Sequence, residues 1–322
     1  MQPALIFTIL PRTIAPRSIL AALGFSVAVL AQAPQNFDNV QIQVIPVQKN
    51  IYMLAGAGGN ITLEIGGDGV LMVDTEYAPL APKIMAEIRK LSSGPIRYII
   101  NTHVHPDHTG GNDAFATLIP QNPAAPLKII AHENVLNRMT KPAGNQTPPP
   151  QPGLPLDEYS TPSKDLRFNG EAIVIYHEPN AHTDGDSIVL FRGSDVISAG
   201  DIFTPSGYPF LDLERGGSVQ GEIAALNHIL ALTVPGHTQE GGTYVVPGHG
   251  RVCDEADVVE YRDMVVIIRD RVRNMINQGM TLEQVKAARP SRDYDTEYVF
   301  KDSFVTADRF VEAVYKSLKE VK

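Results

Sequence analysis

Six consecutive residues limit what this chain can fold into: His103-Val104-His105-Pro106-Asp107-His108, placed directly after the apolar run Ile96–Ile100. Four ligand-type side chains in six positions would repel and desolvate one another without a cation to share. His103 and His105 stand two apart, so an extended backbone turns them to one side, and Asp107 continues that alternation. His108 breaks it, which suits a loop wrapped around two metal positions. Gly110 and Gly111 then let the chain turn sharply away. A strand must deliver this segment, and other strands must bring the remaining ligands. The chain holds one cysteine, so zinc sites built on two or more thiolates are excluded, and imidazole and carboxylate must do the holding.

Three later residues fit that requirement. His182 lies in the turn Asn180–Gly185, Asp201 follows the apolar run 196–199, and His249 lies in Pro247-Gly248-His249-Gly250 after the run 244–246. Each comes just past a strand-like segment, where the loops of a sheet gather at one rim. Periodicity predicts strands at 40–47, 51–54, 61–65, 70–73 and 96–100, and an amphipathic helix at 79–91 carrying Leu80, Ile84, Ile88 and Leu91. A short helix at 110–117, a strand at 128–131 and a helix at 132–139 follow. Residues 141–164, with Pro148-Pro149-Pro150, read as a long loop that either covers the site or simply links two halves. Strands at 172–176, 188–191, 196–199 and 244–246 and helices at 218–232, 255–278, 281–288 and 303–318 complete the pattern. Strands then helices, twice over, give an α+β fold of four layers, an αββα sandwich.

With these residues in hand, the chain resembles the metallo-β-lactamase fold superfamily. The likeness rests on Thr102-His103-Val104-His105-Pro106-Asp107-His108-Thr109-Gly110-Gly111-Asn112 and on the later motifs in the same order, and it covers about residues 40–261. It implies the αββα sandwich and two metal ions per chain. His103, His105 and His182 would hold the first ion, and Asp107, His108 and His249 the second. Asp201 would bridge them, and Asp74 would orient a ligand from behind. Zn²⁺ suits such a set, which would also accept Mn or Fe. Water activated by the pair would cleave an ester, lactone or amide bond of a small substrate, with β-lactams among the candidates and Asp107 orienting the nucleophile. An aspartate at 201 resembles the bridging-carboxylate members rather than the cysteine-liganded β-lactamases. The alternatives are a di-iron redox member, against which no flavin-binding glycine motif is visible, and a glyoxalase II-like thioesterase.

Smaller expectations concern the surroundings. Thr183 and Asp184 are candidates to support ligands, and Tyr208 to contact substrate. His132, His177, His228 and His237 are left over as packing, supporting or surface residues, and Cys253 as a buried thiol. Residues 1–31 carry Arg12 and Arg17, no acid, and an apolar run from Ile19 to Leu30. That run is short of the ~20 residues a membrane span needs, so it reads as a signal peptide. The hydrolase domain would then be 32–322, with a helical tail from about 255, in a periplasmic or secreted protein not held to a membrane. The formal net charge of −9 becomes −11 without Arg12 and Arg17, which argues against nucleic acid as a partner. The stripe of the 255–278 helix is core or the face of a homodimer.

Overall fold

The computed structural model describes residues 36–320 except 121, 142–147, 149, 239–240 and 301–302. The signal-peptide reading of 1–31 and part of the 141–164 loop fall outside the described residues. Six strands form the first sheet in chain order: β1 (Gln43–Gln48), β2 (Ile51–Ala55), β3 (Ile61–Gly66), β4 (Gly69–Val73), β5 (Ile96–Ile100) and β6 (Lys128–Ile130). The first four make an antiparallel meander. The β4–β5 and β5–β6 pairs are parallel, so each needs a crossover. Helix α1 (Ala81–Leu91) supplies one, and α2 (Pro106–Thr109) with α3 (Asn112–Leu118) the other. After α4 (Glu133–Thr140) the second sheet follows: β7 (Ser163–Phe168), β8 (Glu171–Glu178), β9 (Asp186–Phe191), β10 (Val196–Ser198) and β11 (Tyr244–Val246), in spatial order β11-β10-β9-β8-β7. Helix α5 (Val219–Leu232) crosses over to the parallel β10–β11 pair. The chain ends in α6 (Glu255–Asn277), α7 (Leu282–Ala288), α8 (Asp295–Tyr298) and α9 (Ala307–Glu320).

The alternation of side chains sorts the strands into layers. In β4, Leu71 and Val73 face the opposite sheet, where they meet Ile175, Val189 and Phe191. Val70 and Met72 face outward and are covered by Leu80, Ile84, Ile88 and Phe115 of the helical side. In the second sheet Val189 and Phe191 point inward, while Ile188 and Leu190 pack under Ile223, Leu226, Val258 and Phe310 from α5, α6 and α9. Three apolar cores between four layers are the αββα sandwich. Each fully buried Leu, Ile or Val contributes about 1.5–3 kcal/mol, so the C-terminal helices are integral to the second face. Among the described residues, no helix is long and apolar enough to cross a membrane.

The helix starts follow local chemistry. The Ser218 side chain accepts from Gly221 N at the start of α5, and capping boxes Asp254/Asp257 and Thr281/Gln284 open α6 and α7. Two elements differ from the sequence pattern. The strand β7 was not expected, because Lys164, Asp165 and Arg167 interrupt its apolar content. It is an edge strand, and such charges keep an unpaired edge from recruiting another strand. The last helix begins at Ala307 rather than 303, and the short α8 precedes it.

At one rim the strand ends converge and the sheets are tied together. Thr62 Oγ1 donates to Ser198 Oγ at 3.0 Å. Asn60 N donates to Gly248 O at 2.7 Å, and Ser187 N to Thr102 O at 2.8 Å. The exits of β4, β5, β10 and β11 and the β8–β9 turn all open there, carrying Asp74, His103, Asp201, His249 and His182.

Candidate metal centre

Two groups of ligand atoms gather at this rim, each within 4.8 Å: His103, His105, His182 and Asp201, and Asp107, His108 and His249. The backbone explains the division. His105 is still extended (φ −66°, ψ 147°), so it keeps the side of His103. Pro106 then starts a helical turn, its fixed φ suiting a first helical position. The alternation anticipated through Asp107 therefore stops, and Asp107 and His108 swing to the second group. The carboxylate of Asp201 spans both. Its Oδ2 faces His103 Nε2 at 3.9 Å and His182 Nε2 at 3.8 Å. Its Oδ1 faces His108 Nε2 at 3.1 Å and His249 Nε2 at 3.4 Å. Asp107 Oδ2 lies 3.2 Å from His249 Nε2 and 3.7 Å from His108 Nε2.

The outer nitrogens of four imidazoles are each committed. His103 Nδ1 meets Thr102 Oγ1 at 3.0 Å, and that hydroxyl donates to Asp74 Oδ2 at 2.7 Å. His108 Nδ1 donates to Asp74 Oδ2 at 2.7 Å. His105 Nε2 donates to Asp212 Oδ2 at 2.9 Å, and His182 Nδ1 to Phe210 O. Placing the ring protons outward leaves the four inner nitrogens as lone pairs. His105 Nδ1 and His182 Nε2 then face each other at 2.9 Å, an arrangement that two lone pairs tolerate only around a shared cation. Buried His103 Nε2, His108 Nε2 and Asp201 Oδ1 have no hydrogen-bond partner; the last two are close but misaligned. Orphaned buried acceptors turned into the two ligand groups fit a metal centre.

Charge follows the same geometry. Burial pushes His103 well below its usual pKa and His182 down to about 4, with neighbouring imidazoles adding to it, so both rings are neutral and able to ligate. Burial alone would raise Asp201, but His108 and His249 hold its carboxyl well below the usual range. In the absence of an ion they do so as cations, since against burial Asp201 and Asp74 raise His108 well above its usual pKa and Asp201 and Asp107 raise His249 to about 9, and a bound metal would displace those protons. Asp107 is likewise kept low against its burial by His249 and His108.

Other expectations fare differently. Asp74 does stand behind a ring, and holds Thr102 N at 2.8 Å as well. It adopts φ 66°, and Glu76 φ 53°, a left-handed conformation uncommon for such residues and frequent at functional sites. Thr183 and Asp184 turn elsewhere. Thr183 Oγ1 donates to Asp186 at 2.6 Å, and Asp184 pairs with Arg138 at 2.7 Å. Tyr208 does not lean over the centre. It is 2% exposed, stacks on Phe310 at 5.0 Å and donates to Asp295 Oδ1 at 3.0 Å. Its partners arrive 87 residues later in the chain, so sequence proximity to Asp201 misled. His132 caps α4 and stacks on His177 at 3.5 Å, and His228 meets Glu178. His237 is exposed and Cys253 buried.

Two neighbours were missed. Glu76 is fully buried, accepts from Ala57 N and Gly58 N, and has its pKa raised by that burial. Its place two residues after Asp74 was the available signal. Asp212 lies in an aperiodic loop and offered none. It holds His105 and pairs with Arg215 at 2.7 Å, and against burial both keep its carboxyl below the usual range. Losing such a partner typically costs ten- to a hundredfold in metal affinity. Asp212→Asn is expected to weaken metal binding about tenfold and Asp212→Ala toward a hundredfold, measured by chelator competition. Unchanged affinity in both variants would show that Asp212 does not orient His105.

Comparisons with known proteins bear on the family and the fold. A family model described as Metallo-beta-lactamase superfamily matches residues 49–251. A linear primary-alkylsulfatase from Pseudomonas sp. is 38% identical over 73 residues, covering 22% of this chain and 14% of that enzyme. Among solved structures, the inverting sec-alkylsulfatase Pisa1 from Pseudomonas sp. aligns with a TM-score of 0.64 at 16% identity, over 85% of this chain and 50% of that one. A metallo-beta-lactamase from Pontibacter korlensis aligns at 0.55 with 13% identity, over 70% of this chain and 99% of that one. The chain thus spans about half the length of the alkylsulfatase structure.

Proposed function

The chain belongs to the metallo-β-lactamase superfamily, and on that premise we propose that it is a dinuclear metal-dependent hydrolase of sulfate esters. The observation that carries the reading is the carboxylate of Asp201, with one oxygen turned to each group of ligands. The stretch shared with a linear primary-alkylsulfatase supports the sulfate ester over the lactone or amide. His103, His105, His182 and Asp201 would hold one ion, and Asp107, His108, His249 and Asp201 the other. Imidazole and carboxylate donors suit Zn²⁺. Two such ions, once bound, would supply positive charge to polarise the ester and to make water acidic enough to react at neutral pH.

The protein's own groups do the rest. The ionised Asp107, beside His249 at 3.2 Å, orients the water and accepts its proton. Water adds, the ester bond breaks, and Asp107 returns the proton to the departing oxygen, so that the ester and one water give the alcohol and hydrogensulfate. Neutral His103 and His182 stay fixed by their outer hydrogen bonds, so no rearrangement is needed during reaction.

The test is a panel of alkyl sulfates, carboxylic esters, lactones, thioesters and β-lactams given to zinc-loaded protein. Sulfate-ester turnover is expected, lost in chelator and restored by zinc. Turnover of β-lactams or carboxylic esters with sulfates untouched would overturn the substrate class, and turnover indifferent to chelator would overturn the metal.

A further inference from the structure

One loop orients two of the imidazoles. Phe210 O accepts from His182 Nδ1, and Asp212, two residues on, holds His105. Anchored this way, the Phe210 ring stands beside both, its centroid 5.8 Å from His105 and 5.7 Å from His182. Against it, edge to face at 5.2 Å, stands Phe304 from the C-terminal region. Phe304 is 61% exposed, an unusual position for a phenyl ring fixed in place. Fixed it is. Arg309 Nη1 donates to Phe304 O at 2.8 Å, and the guanidinium lies 4.4 Å over the ring. Arg309 itself rides on α9, which is seated in the core by Phe310, Val311 and Val314.

We infer that Phe210 and Phe304 form an apolar subsite beside the metal centre, which receives the alkyl or aryl group of the substrate. The inference rests on the hydrolase reading above and adds what the family match to 49–251 does not contain: a substrate contact supplied by the C-terminal region. The rings continue directly from His105 and His182, so an anionic head at the metals would lead its apolar tail onto Phe210 and then Phe304. An exposed apolar surface contiguous with a polar centre is the usual form of a ligand site. An acidic protein gains little by attracting an anionic amphiphile through net charge, so apolar contact must supply much of the affinity.

The test uses linear alkyl sulfonates, whose C–S bond is not an ester and does not turn over, bound to the zinc-loaded full chain and followed by calorimetry. Burying one methylene is worth up to roughly a fourfold change in Kd. From butyl to octyl sulfonate, Kd is expected to fall about twofold or more per methylene in the unaltered protein. Phe304→Ala should leave butyl binding within twofold and weaken octyl binding about tenfold, and Phe304→Leu should recover most of the loss. Since Phe304 is exposed, its removal opens no cavity. Equal slopes in the unaltered protein and Phe304→Ala overturn the subsite, as does equal weakening of butyl and octyl. Binding and turnover are read separately. A slope lost in Phe304→Ala with no sulfate-ester turnover keeps the subsite and rejects the substrate class. Turnover with no slope in the unaltered protein rejects the subsite alone.

Discussion

On the proposed dinuclear reading, Asp201→Asn is expected to reduce the metal bound by zinc-loaded protein from two ions per chain to one or fewer and to lower kcat/KM on the order of a thousandfold. Asparagine keeps the size of aspartate and one of its acceptors, so the fold is retained and the change is confined to charge. That charge is what the site is arranged around. The carboxylate faces His103 and His182 with Oδ2 and His108 and His249 with Oδ1, whereas the other carboxylate, Asp107, faces only His108 and His249 of its own group. Replacing any one imidazole leaves its group with other donors. An amide offers one neutral oxygen to one group and an NH₂ to the other, and an NH₂ cannot ligate. Loss of a charge placed to hold both ions removes several kcal/mol of stabilisation where charge develops, and ~4 kcal/mol corresponds to about a thousandfold in rate. Metal content after gel filtration, read by mass spectrometry, checks the first number, and steady-state kinetics the second. Two zincs per chain retained in Asp201→Asn would mean that Asp201 does not bridge.

The residues of this centre differ in how far their sequence neighbourhood announces them. His103, His105, Asp107 and His108 are crowded enough to be improbable without a metal, so the motif speaks for itself. His182, Asp201 and His249 are single residues, readable only because each follows a strand-like run in a fold whose strand ends share a rim. The layers were readable for the same reason: Val70, Leu71, Met72 and Val73 are continuous and apolar because both faces of β4 are covered. What stayed hidden depends on contacts distant in sequence. Asp212 and Phe210 sit in a loop with no period, and Phe304 and Arg309 reach the site only through the packing of α9. Tyr208 was misread in the same way, since its stacking partners belong to α8 and α9. The strand β7 was masked by the charges that protect an edge. Local periodicity reports burial on one element and is silent about which loop returns to which rim.

Glycine 248, which the sequence shows only as a turn before His249, carries the second large effect. Gly248→Ala is expected to bring bound zinc below one per chain and to cost at least a hundredfold in activity. A Cβ built there would stand 2.0 Å from Asp201 Oδ1 and 2.7 and 2.8 Å from Gly200 C and O. Separations this short force something to move. The backbone at 248 is not free to yield, because its N–H donates to Gly200 O at 2.8 Å and Phe203 O at 3.1 Å, and its carbonyl accepts from Asn60 N at 2.7 Å. Asn60 Nδ2 also ties down Pro247 O at 2.9 Å and Gly250 O at 3.0 Å. Gly200 is equally confined, being left-handed at φ 54° and itself facing Thr102 within 2.8 Å of a Cβ. The softest element is the Asp201 side chain, and turning it aside takes the shared carboxylate from both groups. Any remaining strain costs about 1–3 kcal/mol as in other overpacked sites, lowering Tm by a few degrees without unfolding the sandwich. Gly67 is the control: a Cβ there meets nothing within 4 Å, so Gly67→Ala should leave zinc content, activity and Tm unchanged. Thermal melts and zinc analysis of the two variants side by side decide it. A Gly248→Ala protein with two zincs and full activity would mean that Asp201 is free to sit elsewhere and that the close approach of these two loops is not what holds the centre together.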